Sequence, residues 1–368
     1  MRLERLRIRH FRNLENQDLD LPPGGVAIVG DNAQGKSNLL EAIHYLETFR
    51  SFRGAPDRDL VAFGSEAFHL SCALPGSDGV RDLTAAYRRS DGRKKVEVDG
   101  AEPPRLADAL GHLATVVLCP ADTEVVGGPP TGRRRFLDLI LSLNEPGYVT
   151  QLQRYRRFLE QRNAALKSMG RAGAGAWEDG LIRSGAEVIR WRAGWVEGFA
   201  PSYERFHQRI SGGPEGSLRY RPSVDPADDL ERTMEKFRER LAETAAAEER
   251  MRTTMVGPHR DDVVLTVPGS GGDVPLRSFG SGGQVRTAAL ALRLTEAETI
   301  RSRRSTDPIL LLDDLFAELD AARSERVLEL LEEAEPGQVV VTAPREEDLR
   351  LGGPGLARWR VRQGLVFT

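Results

Sequence analysis

The stretch GDNAQGKSNLLEAIHYLETFRSFRG, residues 30–54, decides the fold class of this chain. It opens with Gly30, four further residues, and then Gly35-Lys36-Ser37, which is the spacing of a phosphate-binding loop. The apolar run VAIV precedes the loop, and NLLEAIHYLETF after it carries apolar residues at helical spacing. A strand, a glycine-rich loop and a helix in this order predict a nucleotide site.

The loop residues have distinct expected roles. Backbone N–H groups of the loop would surround the phosphates of ATP, helped by the positive end of the following helix. Lys36 would reach the β- and γ-phosphates, and the Ser37 hydroxyl would bind Mg²⁺. The predicted ATP-binding residues here are Gly30, Asp31, Asn32, Ala33, Gln34, Gly35, Lys36 and Ser37. The alternative is a glycine turn that only joins a strand to a helix.

Composition limits the class of protein. The chain has 368 residues, of which 40% are apolar and 29% charged, so it can bury one large core or two modest ones. No apolar run approaches the roughly 20 residues that a membrane-spanning helix needs, and the first residues lack a signal-peptide core. The two cysteines, Cys72 and Cys119, form no disulfide framework and no metal-ligand cluster. We therefore expect a cytoplasmic protein without a membrane partner.

The segment PILLLDDLFAELD supplies a partner for the phosphate loop. Its apolar residues predict a buried strand, with Asp313 at the end of the strand as a second Mg²⁺ ligand. Asp314 follows, where its carboxylate could orient or deprotonate the attacking water. Taken alone, an apolar strand that ends in two aspartates is unspecific and also describes an ordinary strand end.

The segment RSFGSGGQVRTAALALRL separates classes of nucleotide-binding protein. Ser281, Gly282, Gly283 and Gln284 precede a long helix with an apolar stripe, and a hydroxyl with glycine N–H groups at a helix start forms an anion site. Two phosphate sites far apart in one chain predict that one ATP is held between two protomers. The alternative for this stretch alone is a helix cap with a glycine-rich entry.

The middle of the chain has a different periodicity from its two ends. Apolar residues at spacings of 4, 3 and 4 predict helices with narrow apolar stripes, as in a helical bundle or short coiled coil, at Tyr148–Leu159, Phe199–Ile210 and Leu230–Leu241. Pro201 is expected to begin or interrupt one of these helices. We therefore predict an α/β domain in two halves, residues 1–130 and 256–368, with an inserted helical arm over 131–255.

The motifs together resemble the RecF family, the bacterial recombination-repair ATPases of the ABC/SMC-like class. The resemblance covers GDNAQGKSNLLEAI with RSFRG, then GGPPTGRRRFLD at 127–138, GPHRDD at 257–262, and finally GSGGQVRTAALALRL with LLLDDLFAELD. These segments are spread over nearly the whole chain in the order of the family. The arginine block and GPHRDD are more specific than any general ATPase motif.

The resemblance implies roles by position. Gly30 to Ser37 would be the Walker A loop, Asp313 with Asp314 the Walker B pair, Ser281 to Gln284 the signature loop, and Asp320 the acid of the D-loop. Arg53 occupies the place of an arginine that senses nucleotide or DNA in related heads. The implied fold is an ABC/SMC-type ATPase head, a mixed sheet with a P-loop, carrying an inserted helical arm.

The resemblance also implies an activity and partners. The implied activity is slow, DNA-stimulated ATP hydrolysis by a protein that dimerises on DNA with ATP and Mg²⁺. The implied partners are RecO and RecR, with which the protein would help load the RecA recombinase at gaps. The expected location is the cytoplasm, in association with the nucleoid. Two departures from the family pattern stand out: Ala121 occupies the place of an acid after Pro120, and Asp314 replaces the commoner Glu. A base that is one methylene shorter predicts slow turnover.

Charge distribution points to DNA. Residues 131–171 contain nine Lys or Arg against three acids, whereas residues 225–250 contain nine acids against five bases, although the whole chain is near neutral at −3. Arginine and lysine supply most sequence-independent DNA affinity, so we expect binding to duplex or to a single-strand/duplex junction. The predicted DNA-binding residues are Arg53, Arg133, Arg134, Arg135, Arg154, Arg156 and Arg157. The alternatives are a solvated helix face, and pairing of Arg133–Arg135 with acids across the interface between the two lobes.

Two other classes share part of this pattern. An ABC transporter cassette would have a similar Walker pair and signature helix, but it has a much shorter helical insertion and lacks GPHRDD. A structural chromosome protein of the SMC type needs a long coiled coil. The roughly 120 residues between the two halves are too few to form such a coiled coil, because a helix gains only about 1.5 Å of length per residue.

Overall fold

A computed structural model of the chain describes residues 1–76, 79–334, 337–349 and 356–368. The chain divides into two compact units, each assembled from segments that are separated in sequence. Unit 1 comprises Met1–Asp122, Arg209–Ser211 and Leu292–Thr368, and unit 2 comprises Thr123–Gln208 and Gly212–Ala291.

The described residues form fourteen strands and ten α-helices. The strands are β1 (Arg5–Arg9), β2 (Gln17–Asp20), β3 (Gly25–Val29), β4 (Ala67–Gly76), β5 (Gly79–Arg88), β6 (Arg93–Val98), β7 (Thr115–Leu118), β8 (Ser217–Arg221), β9 (Asp262–Gly269), β10 (Gly272–Pro275), β11 (Ile309–Leu312), β12 (Gln338–Ala343), β13 (Ala357–Arg362) and β14 (Leu365–Phe367). The helices are α1 (Lys36–Thr48), α2 (Thr123–Gly127), α3 (Pro130–Asn144), α4 (Tyr148–Ser168), α5 (Arg171–Ala174), α6 (Glu178–Ser211), α7 (Leu230–Met251), α8 (Leu276–Phe279), α9 (Gly282–Arg304) and α10 (Ala321–Glu333).

Unit 1 contains two sheets. The first is antiparallel, with strand order β2-β1-β4-β5-β6, and the second has the order β14-β13-β3-β12-β11-β7. In the second sheet β13, β3, β12, β11 and β7 run parallel, and only the edge strand β14 is antiparallel to its neighbour. The strands β3, β11 and β12 read as near-continuous apolar runs because both faces of a parallel sheet are covered.

Helix α1 lies at the centre of the unit 1 core. It contacts β4 and β5 of the antiparallel sheet and also β7 and β12 of the parallel sheet. Its apolar residues are buried on more than one side, and Tyr45 meets Phe68 edge-to-face with ring centroids 5.2 Å apart. Phe68 makes the same kind of contact with Phe11. The helix that follows the phosphate loop is therefore fixed by the core itself.

Unit 2 is mainly helical. The apolar stripes predicted from the 4, 3, 4 spacing are largely buried, and Tyr155 of α4 shares a core cluster with Ile189 of α6 and Phe237 of α7. The expectation for Pro201 was wrong, because α6 runs through it without a break from Glu178 to Ser211. Phe199 and Tyr203 on either side of the proline are buried, so packing holds the helix together where local propensity opposes it.

The division into units differs from the predicted boundaries. Residues 256–291, predicted to belong to the α/β domain, group with the helical unit, and so do residues 123–130. The physical reason is a third sheet, β10-β9-β8, in which β8 from the predicted helical arm pairs antiparallel with β9. In the part of the chain that the structure describes, no helix combines the length and the hydropathy that crossing a membrane requires.

Candidate functional site

Three neighbouring parallel strands bring the two phosphate-site motifs of unit 1 together. The order β3-β12-β11 places one strand between the strand before the phosphate loop and the strand before Asp313. Parallel strands end at the same edge of a sheet, and ligands of open α/β sheets bind outside that edge. Ser37 and Asp313, which are 276 positions apart, are consequently in direct contact.

The phosphate loop is held in a defined conformation. The side chain of Lys36 is buried at 4% exposure, and its Nζ donates to the carbonyl oxygens of Gly30 at 2.7 Å and Asp31 at 3.2 Å. The two glycines of the motif are needed for different reasons. Gly35 precedes α1 with φ +118°, a conformation that glycine adopts freely. At Gly30, an added Cβ would lie 2.4 Å from the carbonyl oxygen of Val361.

Asp313 is the centre of a small hydrogen-bond network. Its Oδ1 accepts from the Ser37 hydroxyl at 2.8 Å and from the Thr342 hydroxyl at 2.9 Å, and the residue is only 8% exposed. Thr342 lies on β12, the strand between the two motifs. Sequence reasoning missed Thr342, because nothing in the sequence states which strand lies next to β11.

Asp314 has a different environment from its neighbour. Its backbone is left-handed, with φ +46° and ψ +32°, and its N–H donates to the Thr342 hydroxyl at 3.0 Å. Burial raises the pKa of the Asp314 carboxyl above its ordinary value, and the charge of Asp313 adds to the rise while Lys36 opposes it. Aspartate tolerates left-handed backbone better than most residues, because its short side chain can hydrogen-bond locally.

These residues fit a nucleotide with Mg²⁺. A cavity of about 640 Å³ is lined by Gly35, Lys36, Ser37 and Asp314 among others, within the usual range for small-ligand sites. Ser37 and Asp313 offer adjacent oxygen ligands, which suit Mg²⁺. In the described ranges, no group of three or more His, Cys, Asp or Glu forms an all-protein metal site. Mg²⁺ typically binds one or two protein oxygens together with substrate phosphates, so this donor set is sufficient.

The signature-like segment lies in unit 2. The Ser281 Oγ accepts from the Gln284 N–H at 3.3 Å, and the Gln284 side chain accepts from the Ser281 N–H at 2.9 Å, which is a capping box for α9. Ser281, Gly282 and Gln284 are exposed. In unit 1, Asp320 caps α10 by accepting from the N–H of Arg323 at 2.9 Å. The roles of these residues toward ATP stay predictions.

The predicted DNA-binding arginines fall into two groups. Arg133 is buried at 3% exposure and forms a bidentate ion pair with Asp262 at 2.8 and 3.0 Å, so its guanidinium is not available to a phosphate backbone. The expectation for Arg133 is therefore corrected: it pairs with an acid, as the alternative held, but both residues belong to unit 2 rather than to two lobes. Arg134 is half-buried and donates to the carbonyl oxygen of Asp261 at 2.7 Å.

The remaining arginines have accessible side chains. Those in unit 2 are Arg135 on α3 and Arg154, Arg156 and Arg157 on α4, all of them exposed. Of these, Arg156 also forms an ion pair with Asp138 at 3.1 Å. Arg53 of unit 1 donates to Asn38 Oδ1 at 2.8 Å and lines the same cavity as Lys36. These side chains could contact phosphates without unfolding any part of the protein.

The GPHRDD segment contributes mainly to the structure of unit 2. Asp261 is fully buried and accepts from the Tyr220 hydroxyl, from the Ser223 N–H at 2.7 Å and from Arg192 at 3.4 Å. Arg192, itself 2% exposed, also donates to Asp138 at 2.8 Å. Asp261 of this segment is therefore part of a buried ion-pair network with Arg192 and Asp138. Sequence reasoning missed Arg192, which stands in an otherwise ordinary helix.

A second buried ion pair lies in unit 1, at the residue after Ala121. Asp122 Oδ1 accepts two hydrogen bonds from Arg293, at 2.6 and 3.0 Å, and Arg293 also donates to Glu296 at 2.7 Å. The acid of this ion pair is Asp122, the residue directly after Ala121. Asp122 ends the first segment of unit 1, and Arg293 stands near the start of the last segment.

Comparisons with known proteins agree with this geometry. The RecF/RecN/SMC N terminal domain family matches residues 2–354. The DNA replication and repair protein RecF of Synechococcus sp. (strain JA-3-3Ab) is 40% identical over 343 residues, covering 90% of this chain and 89% of that protein. The RecF of Geotalea daltonii is 34% identical over 373 residues, with full coverage of both chains. The chain belongs to the RecF family.

Solved structures confirm the predicted fold of this RecF-family chain. The recombination mediator protein RecF, solved with ATP, matches with a TM-score of 0.89 and 32% identity, covering 99% of this chain and 96% of that one. The Smc head domain of Pyrococcus furiosus matches with a TM-score of 0.56 at 17% identity, covering 99% of this chain and 94% of that one, a likeness of fold alone. The ABC/SMC-type head fold expected from the sequence is therefore confirmed.

Proposed function

We propose that this chain is an ATP-dependent DNA-binding protein of recombinational repair, in which slow ATP hydrolysis acts as a switch. One observation carries the proposal: Lys36, Ser37, Asp313 and Asp314 meet at the carboxyl edge of one parallel sheet, with the Ser37 and Asp313 oxygens 2.8 Å apart. Membership of a family of repair proteins, and the relative solved with ATP, support this reading.

The chemistry follows from the positions of the side chains. The bound Mg²⁺ would neutralise charge on the β- and γ-phosphates. Lys36 places an ammonium next to the loop that would carry these phosphates, and Ser37 with Asp313 would hold the metal ion. Asp314, whose left-handed backbone turns it away from the course of its strand, would orient the attacking water. A short carboxylate at this position is consistent with slow turnover.

We further propose that ATP drives formation of a homodimer. Ser281, Gly282 and Gln284 are exposed at the start of a helix in unit 2, whereas the phosphate loop belongs to unit 1. A two-fold dimer would let each ATP contact the phosphate loop of one protomer and the signature loop of its partner. The Asp320 carboxylate at the start of α10 would act at the same interface.

DNA would bind to the dimer without sequence preference. Arg135, Arg154 and Arg157 are exposed on the helices that open unit 2, and they carry the local excess of positive charge. No base-reading motif accompanies them, so phosphate contacts would dominate. Duplex or a single-strand/duplex junction would be the substrate, and RecO and RecR would be the partners in loading RecA at gaps in the nucleoid.

Complementation between two inactive variants tests this function. Ser281→Arg inserts a bulky side chain at the signature loop but leaves the phosphate loop of that protomer intact, whereas Lys36→Met removes the phosphate contact. Each variant alone should bind DNA weakly in ATP and hydrolyse almost nothing. Mixed, the two should form heterodimers with one working site, built from Lys36 of one chain and Ser281 of the other, and ATPase activity should return.

The controls separate the parts of the proposal. Ser281→Arg should still bind ATP as a monomer, since its own phosphate loop is unchanged. Gln208→Arg, in the last part of α6, is a matched insertion of the same side chain that should leave ATP-driven dimerisation unaffected. Heterodimers that form but recover no hydrolysis would show that the site is completed within one chain. The shared-site part of the proposal would then be withdrawn.

A further inference from the structure

Phe63 is an unusual side chain on the surface of unit 1. Its relative exposure is 103%, whereas the other exposed large apolar residues of the described chain lie between 40% and 74%. A fully exposed phenylalanine gains nothing from burial, so it contributes little to the stability of the fold. Its position in the fold therefore calls for a role in binding.

The backbone presents Phe63 on a fixed turn. The Ser65 N–H donates to the Ala62 carbonyl oxygen at 3.1 Å, and Gly64 has φ +78°, as a turn with glycine at its third position requires. The Ala62 N–H also donates to the carbonyl oxygen of His10 at 2.8 Å. The aromatic ring is thus carried by a segment that is tied to the neighbouring backbone.

Phe63 shares a cavity with the phosphate loop. The cavity of about 640 Å³ that is lined by Gly35, Lys36 and Ser37 is also lined by Phe63 and Arg58. The side chain of Arg58 is 72% exposed, with its Nε 3.6 Å from the Asp59 carboxylate. One cavity therefore combines a phosphate-binding element, an accessible aromatic face and an accessible guanidinium.

We propose that Phe63 is the stacking platform for the base of the nucleotide whose phosphates bind the Lys36 loop. The proposal rests on the proposed function and adds to it the residue that recognises the base. An aromatic face stacks on any nucleobase, and the contact is independent of which hydrogen-bonding groups the base carries. Arg58, which lines the same cavity, adds a second planar group that can pack against a base.

A base of bound DNA is the competing occupant for Phe63. Single-stranded nucleic acid also binds to aromatic rings beside cations. The shared cavity favours the nucleotide, because a DNA strand would enter along an open groove and would have no need of Lys36 and Ser37. The cavity volume also lies in the range of small-ligand sites.

Equilibrium binding to two ligands tests the proposal. ATP carries both a base and a triphosphate, and inorganic tripolyphosphate carries the phosphates alone. Phe63→Ala should weaken ATP binding roughly tenfold, the effect of losing one base–aromatic stack, and should leave tripolyphosphate binding unchanged. Phe63→Trp should retain ATP affinity and should show a fluorescence change with ATP but not with tripolyphosphate.

Two further variants make the result interpretable. Phe367→Ala removes an aromatic ring that is 51% exposed and lies outside the cavity, so it should leave both affinities unchanged. Lys36→Met should weaken the binding of both ATP and tripolyphosphate. If it weakens the binding of neither ligand, the proposed function fails at its phosphate site. If Lys36→Met behaves as expected but Phe63→Ala binds ATP like wild type, the Phe63 proposal alone is overturned. Weaker single-stranded DNA binding with unchanged ATP affinity in Phe63→Ala would also overturn it.

Discussion

Asp313 and Asp314 are adjacent carboxylates with opposite surroundings. Asp313 accepts hydrogen bonds from the Ser37 and Thr342 hydroxyls, which hold its carboxylate in place. Asp314 follows a change of backbone to the left-handed region, and burial raises its pKa. One carboxylate is thus suited to hold a cation and the other to exchange a proton.

Asp314→Asn should separate binding from hydrolysis. The amide keeps the shape of the side chain and fits the left-handed backbone, so ATP binding and ATP-driven dimerisation should persist. Turnover should fall by about 10²- to 10⁴-fold, the usual contribution of a general base. Steady-state ATPase assays and size-resolved complexes in ATP measure the two effects, with Asp313→Asn as the control that should lose Mg²⁺-dependent binding. Normal hydrolysis by Asp314→Asn would remove Asp314 from the mechanism.

Glu47 gives a prediction for stability against pH. The Glu47 carboxyl on α1 is fully buried and accepts a hydrogen bond from the N–H of Thr115, on β7, at 2.8 Å. Burial raises the pKa of this carboxyl to about 8, although Thr115 and Arg304 oppose the rise. The folded state therefore keeps a proton that the unfolded state releases near pH 4 to 5. The stabilising effect of the protonated form is complete at lower pH and is lost as the pH rises toward 8.

Glu47→Gln cannot ionise and should lack this dependence. The melting temperature of the variant relative to wild type should rise between pH 5 and pH 8, by an amount that corresponds to a few kcal/mol at most. Burial lowers the pKa of the neighbouring His44 to about 3 in wild type. His44 is present in both proteins, so its contribution cancels when the melting temperatures of variant and wild type are subtracted. A difference in melting temperature that is constant across this range would show that Glu47 is ionised in the folded protein.

At the scale of a single helix, α3 carries three consecutive arginines with three different roles. Arg133 is buried against Asp262 and donates to the carbonyl oxygens of Val126 and Gly128, at the end of α2. Arg134 is half-buried, and Arg135 is exposed. Successive residues of a helix point about 100° apart, so three consecutive side chains cannot all face the same surroundings.

Arg133→Ala should destabilise unit 2 by a few kcal/mol, because it removes the buried bidentate partner of Asp262 and leaves that carboxylate with the longer contact to Arg221 at 3.4 Å. The matched change Arg135→Ala should alter the free energy of unfolding by no more than about 0.5 kcal/mol. Thermal unfolding followed by circular dichroism measures both. DNA binding at a temperature where both variants are folded should fall for Arg135→Ala and stay near wild type for Arg133→Ala. The opposite ranking in stability would mean that Arg133 is not part of the core.

The elements that sequence predicted well are those with strong local signals. The strand before Gly30, helix α1 and the strand before Asp313 follow from apolar runs and glycine spacing, and all three are present. Pro201 and the boundary at residue 256 could not be predicted, because each depends on partners distant in sequence. The strand β8, for example, is defined by its pairing with β9 rather than by its own five residues.

The same distinction applies to the site. Lys36, Ser37, Asp313 and Asp314 follow from motif spacing, and the structure brings them to one sheet edge. Thr342 and Phe63 could not be found that way, because a threonine in a strand and a phenylalanine in a loop have many possible roles. The three arginines of α3 could not be ranked from sequence, since their burial depends on where Asp262 lies.

At the scale of the whole molecule, the net charge of −3 conceals a strong asymmetry. Reversing two exposed arginines of α4, Arg154→Glu with Arg157→Glu, should weaken DNA binding and reduce its salt dependence. Each lost phosphate contact lowers the slope of log affinity against log salt by about 0.9. Arg156 is left unchanged because it pairs with Asp138. Titrations of duplex DNA at several salt concentrations in ATP give the slope.

The double variant should keep wild-type melting temperature and ATP affinity, since both side chains are exposed. As a charge-matched control, Arg238→Glu with Arg240→Glu changes the same number of charges on the acidic helix α7 and should leave the slope unchanged. An unchanged slope in the α4 variant would direct attention to Arg53 and the surface of unit 1.

The connectivity of unit 1 has a consequence for synthesis of the protein. In the described part of the chain, strand β3, which leads into the phosphate loop, pairs with β12 and β13, and the Gly364 N–H donates to the carbonyl oxygen of Gln34. During synthesis, Lys36 therefore leaves the ribosome early. Its loop cannot reach its final conformation until more than three hundred further residues have followed, since Gln34 and Gly364 are 330 positions apart. Such non-local pairing forms late. Nascent and truncated chains would then be unable to bind ATP, and so could not join a dimer on DNA.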